Sequence, residues 1–129
     1  MVVDQGSRLT IRQAVEAAQK SDTVIYCIDY SDPSAYGYGP FSFGSNGEGY
    51  LRQMSDETGG HTFKVDRKNS LELVFKQIQD EMRSQYAIGY TPINGVKDGS
   101  YRKLDVRTSS KDLKVQARKG YYAIKPDTK

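Results

Sequence analysis

The chain has 129 residues, 36% of them hydrophobic and 27% charged, and a net charge of +3 from 19 basic and 16 acidic residues. That length fits one domain, residues 1–129, and the balance fills one core and wets one surface. The surplus is too small to mark a dedicated nucleic-acid binder, no apolar run approaches the roughly 20 residues of a membrane span, and no basic start leads into a long apolar leader.

Residues 10–20 come first. Ile11, Ala14, Val15 and Ala18 recur on one face of a helix, and Thr10 with Gln13 has capping-box spacing. Residues 23–28 are almost wholly apolar and β-branched, as in a strand covered on both faces in a parallel sheet. The single cysteine, Cys27, lies there and reads as an inert core residue, since one cysteine excludes an internal disulfide.

Residues 29–49 form a loop rich in glycine, tyrosine and serine, whose prolines and glycines deny it a long regular element. Residues 50–58 then read as a short helix with Leu51 and Met54 inward, stopped by Gly59-Gly60. His61, Phe63 and Val65 alternate with polar residues, giving a strand. Residues 70–84 carry the clearest helix, with Asn69 as cap, Glu72 in its first turn, and Leu71, Val74, Phe75, Ile78 and Met82 as its buried stripe.

Residues 86–90 follow as a further strand, and Asn94-Gly95 and Asp98-Gly99 mark turns. Residues 101–107 alternate, as do Leu113, Val115 and Ala117. The short link 108–112 makes these an antiparallel hairpin. Residues 125–129 are a polar tail. Alternating helices and strands predict an α/β fold: a truncated Rossmann-like parallel sheet flanked by three helices, with a C-terminal antiparallel hairpin extension.

Several stretches resemble a known family. Residues 9–28 resemble a helix and central strand of a von Willebrand factor type A domain. The segment Tyr50-Leu51-Arg52-Gln53-Met54-Ser55-Asp56-Glu57-Thr58-Gly59-Gly60-His61-Thr62-Phe63 resembles the next helix and strand. The tail, from Arg83-Ser84-Gln85-Tyr86-Ala87-Ile88-Gly89-Tyr90-Thr91-Pro92 to Arg118-Lys119-Gly120-Tyr121-Tyr122, is similar to a bacterial, acidobacterial branch of that family. The resemblance implies the C-terminal part of such a domain, a protein-binding module without enzymatic activity, in the cell envelope or secreted.

It also implies magnesium or calcium in a full-length domain, held by an Asp-x-Ser-x-Ser loop, a threonine and a further aspartate and completed by an acidic group of the partner. This chain has no Asp-x-Ser-x-Ser string. Asp4 alone lies near the family's last metal aspartate, and one carboxylate does not make a hard-cation site. No cofactor is expected in this fragment.

The chemistry-bearing residues give no catalytic pattern. His61 is the sole histidine, with no zinc spacing and no nucleophile elbow. Asp56, Glu57, Asp80 and Glu81 read as solvated helix surface. The basic residues Arg102, Lys103, Arg107, Lys111, Lys114, Arg118 and Lys119 read as charges that blunt a sheet edge, not as a nucleic-acid surface. The expected contact residues for an unidentified protein ligand are Tyr30, Tyr36, Tyr38, Phe41 and Phe43, because tyrosine among serine and glycine suits protein recognition. The alternative is a structural or assembly element that pairs with another chain through an exposed sheet edge.

Overall fold

The computed structural model describes residues 9–30 and 44–125. Within them the chain mixes three helices with a two-stranded parallel sheet and a two-stranded antiparallel pair.

Helix α1 (Ile11–Lys20) begins at the predicted capping box. The Gln13 N–H donates to Thr10 Oγ1 at 3.3 Å, and the Thr10 N–H donates to Gln13 Oε1 at 2.8 Å. The helix ends at Ser21 and the chain reverses through Asp22, whose φ of 54° a short polar residue tolerates. Val15, Ala18 and Gln19 are its buried residues, and it packs on α2 (Gly44–Thr58).

Strand β1 (Cys27–Asp29), helix α2 and strand β2 (Thr62–Lys64) form a parallel crossover unit with Cys27 opposite Thr62, Ile28 opposite Phe63 and Asp29 opposite Lys64. Regular pairing in β1 is shorter than the apolar run 23–28 predicts. Val24 is 40% exposed and precedes the ladder, and among the described residues β1 has a partner on one side only. Helix α2 starts earlier than predicted, at Gly44, so residues 44–49 of the loop expected over 29–49 are helical, while residues 31–43 of it lie outside the described residues. Packing against α1 and β1 outweighs the low helix propensity of its glycines. Its buried positions are Ser55 and Thr58, with Leu51 and Met54 half-buried beside them.

The end of α2 is where the chain is most constrained. Thr58 Oγ1 donates back to the Met54 carbonyl at 2.8 Å and accepts from the Ile25 N–H at 3.0 Å. Ser55 Oγ and Thr62 Oγ1 share a hydrogen bond of 2.9 Å. Gly59 follows with φ +92, and a Cβ there would meet the Arg118 backbone nitrogen at 2.8 Å. A Cβ on Gly60 would overlap the Ile25 carbonyl. Glycine at both positions is required by close backbone approach, with left-handed φ as a second reason at Gly59.

Helix α3 (Leu71–Arg83) is capped by Ser70, whose Oγ accepts from the Leu73 N–H at 3.3 Å. The expected cap, Asn69, is engaged elsewhere: its side chain donates to the Lys64 carbonyl and its N–H to Asp66 Oδ1. Only Val74 of the predicted stripe is buried. Leu71, Phe75 and Met82 are exposed, because no other regular element among the described residues packs extensively on α3.

Residues 86–90 form no strand. Alternation gives a chain two faces but not a neighbouring edge, and these residues join no ladder among the described residues. The predicted hairpin is also replaced. Strand β3 (Tyr101–Lys103) pairs with β4 (Gly120–Tyr122), Tyr101 opposite Tyr122 and Lys103 opposite Gly120. The Tyr101 and Tyr122 rings meet tilted, with centroids 5.2 Å apart, and Lys20 Nζ lies 5.0 Å from the Tyr122 ring centroid. Aromatic pairing at this register outweighs the closer pairing with Leu113, Val115 and Ala117. Among the described residues the buried hydrophobic ones are Val15, Ala18, Cys27, Phe63 and Val74.

Gly60→Ala should lower unfolding free energy in urea by about 2 kcal/mol or more, whereas Gly89→Ala, whose added Cβ meets nothing within 4 Å, should be near neutral. Thr58→Val keeps the shape but leaves the Ile25 amide without its acceptor, and should cost about 1–3 kcal/mol.

Candidate functional site

Two regions stand out from the packed body: a polar cluster around His61 and the uncovered face of α3.

His61 enters β2 beside the glycine turn, and its ring lies 4.0 Å from that of Phe63. Its Nδ1 is 3.3 Å from Glu81 Oε1 on α3 and 3.2 Å from Gln116 Oε1. The Gln116 amide donates to Glu81 Oε2 at 3.4 Å and to the Gly59 carbonyl at 3.2 Å. The three side chains close a ring of polar contacts among β2, α3 and the segment before β4. Glu81 therefore has a partner, where its helix-surface position predicts solvent. No signal in the sequence couples residue 61 to residues 81 and 116, because contacts across 20 and 55 positions leave no local pattern. A carboxylate orients the imidazole, but no serine, threonine or cysteine side chain hydrogen-bonds to it among the described residues. The cluster accordingly ties three segments together. His61 and Glu81 each keep about a third of their surface in water, 35% and 32%, so the contribution of their contact is modest.

Helix α3 carries Leu71, Phe75, Ile78 and Met82 at spacings of four, three and four, which places them on one face. Phe75 and Met82 are 56% and 60% exposed. With Ile78 they form an open apolar face of the helix, flanked by Glu72, Lys76, Gln79 and Arg83 of α3 itself. The exposed apolar character continues along the chain through Tyr86, Ile88, Tyr90, Ile93 and Val96. Within that run Tyr90 meets another aromatic, Tyr121, edge-on at 6.4 Å.

The remaining candidates are dispersed. Tyr30 is exposed just beyond β1. Tyr36, Tyr38, Phe41, Phe43 and Asp4 lie outside the described residues. Among the described residues no group of three or more histidine, cysteine, aspartate or glutamate side chains is placed to hold a metal ion. Three arginines near the antiparallel pair are matched by aspartates: Arg102 with Asp98 at 3.5 Å, Arg107 with Asp105 at 2.5 Å, and Arg118 with Asp22. Hydrogen bonds from Ser100 and the nearby Arg102 guanidinium hold Asp98 below the usual carboxylate range. Cys27 is buried, and burial pushes its thiol up despite a hydrogen bond with Thr62.

Comparison with protein-family models, with curated proteins and with solved structures finds no match to this chain. Among the described residues no helix is long and apolar enough to cross a membrane.

The folded protein keeps the Cys27 proton after the unfolded chain has released it. Stability should therefore fall as pH rises above about 8.5, and Cys27→Ala should remove that part of the slope in pH-dependent urea titrations. The native thiol should also react with a disulfide-exchange reagent at pH 8 far more slowly than the thiol in denaturant.

Proposed function

We propose that this chain is a non-enzymatic protein-interaction module whose contact surface is the uncovered face of α3 and the apolar run that follows it. The observation that carries the reading is the exposure of Phe75 and Met82 on one helix face, followed by Tyr86 and Ile88 at 92% and 79%. Large apolar side chains gathered in one stretch and left in water mark interaction sites more often than chance. Tyr30, exposed beside the crossover unit, is the described member of the aromatic set that the sequence nominates for the same role.

The parallel β1–α2–β2 unit supports a larger Rossmann-like arrangement of von Willebrand factor A type, in which the same connection recurs. Under that reading the parent protein works in the bacterial envelope or outside the cell, and its protein ligand engages without nucleic acid. The arginine–aspartate pairs favour this, because they occupy cations that a phosphate backbone would need.

One observation favours a second reading. Strand β2 is paired only with β1, and the alternating residues 86–90 join no ladder among the described residues, so an assembly role through strand addition has both an edge and a candidate strand.

The double variant Phe75→Glu, Met82→Glu tests the first reading. On a water-facing helix the two charges should change stability by less than about 1 kcal/mol and leave far-UV circular dichroism intact, while reducing the fluorescence of a bound apolar dye. Unfolding of this variant would make the α3 face part of the core and remove the proposed surface.

A further inference from the structure

The polar flank beside the apolar face of α3 carries an order of charge that bears on what covers that face. Glu72 stands in the first turn, Lys76 and Gln79 in the middle and Arg83 in the last turn. All four are exposed, and none of the three charged side chains has an ion-pair partner among the described residues. Resting on the interaction-module reading above, we infer that this face is covered by α3 of a second copy of this chain, packed antiparallel about a twofold axis near Gln77 and Ile78.

The sequence of α3 is complementary to its own reverse. Turned end for end, Glu72 of one copy faces Arg83 of the other, and the same contact recurs on the far side of the axis. Phe75 of one copy then lies over Gln79 and Met82 of the other, and Ile78 meets its symmetry mate near the axis. Lys76 is placed against Gln79, so no pair of like charges is forced together. A parallel arrangement would set this flank of one helix beside the opposite flank of its mate and leave Glu72 and Arg83 without that contact. Antiparallel packing also sets the positive end of each helix dipole beside the negative end of the other. The exposed Tyr86 and Ile88 lie just past the end of α3 and extend the apolar area toward the size a specific interface needs.

Analytical ultracentrifugation of the full chain from about 1 µM to about 1 mM tests the inference. The wild type should form a concentration-dependent dimer. Glu72→Lys and Arg83→Glu should each weaken it about fivefold, because symmetry counts the pair twice, and Glu72→Lys with Arg83→Glu should return to within about twofold of wild type. These exposed substitutions leave the fold intact, which circular dichroism verifies. A chain that stays monomeric to about 1 mM overturns the inference, as does a dimer that both single variants leave unchanged, or one that the double swap fails to rescue. A monomer that still binds apolar dye in a Phe75- and Met82-dependent manner overturns the dimer alone and leaves the interaction module standing. Unfolding of the Phe75→Glu, Met82→Glu variant overturns both.

Discussion

The turn at Thr58-Gly59-Gly60 is where three separate stretches of backbone come together, and the rest of the fold is arranged around that meeting. Thr58 supplies the acceptor for the Ile25 amide, which fixes the approach to β1. Ser55, one turn earlier, shares its hydroxyl with Thr62 and so fixes the start of β2. The Glu57 carbonyl accepts from the Gln19 side chain at 3.0 Å and from the Lys119 N–H at 3.2 Å, which brings in α1 and the run into β4. Buried polar contacts of this kind hold their geometry because each donor left without a partner costs more than the bond itself contributes. A small apolar core supplies cohesion, and the hydroxyls of one helix end supply the arrangement.

That division explains why the apolar pattern of α3 does not translate into burial. The core formed by Val15, Ala18, Cys27 and Phe63 is assembled around α2, whereas α3 contributes Val74 and is otherwise held by polar contacts at its edge. His61, Glu81 and Gln116 fasten its second half without covering Phe75 or Met82. A helix attached in this way presents its apolar residues outward on a fixed mount, which is the geometry that both a heterologous protein and a second copy require.

Local chemistry was legible in the sequence, and long-range chemistry was not. The Thr10–Gln13 capping box appears as predicted because every atom in it lies within one helical turn. The glycine pair after Thr58 likewise announces the end of α2, although the reason for two glycines, the carbonyl of Ile25 and the backbone of Arg118, lies far away in the chain. The period of α3 gives its face but not what stands opposite it. Alternation at 86–90 and 113–117 gives strand character but names no partner, and the actual pairing sets Tyr101 opposite Tyr122, 21 positions apart. The His61 cluster is invisible for the same reason.

The antiparallel pair has one more consequence. Between Lys103 and Gly120 the chain makes an excursion whose two ends are fastened: the Leu104 N–H donates to the Lys119 carbonyl at 2.9 Å, and Gln116 returns to the glycine turn. From residue 105 to 109 and again from 111 to 116 it is exposed. A loop whose stem is closed independently of its tip can change length cheaply, since doubling a flexible loop costs only about 0.6 kcal/mol in closure entropy. The tip around residues 108–112 is thus a place where sequence can be added, such as a reporter or an affinity handle, with the hydroxyl-fastened body left undisturbed.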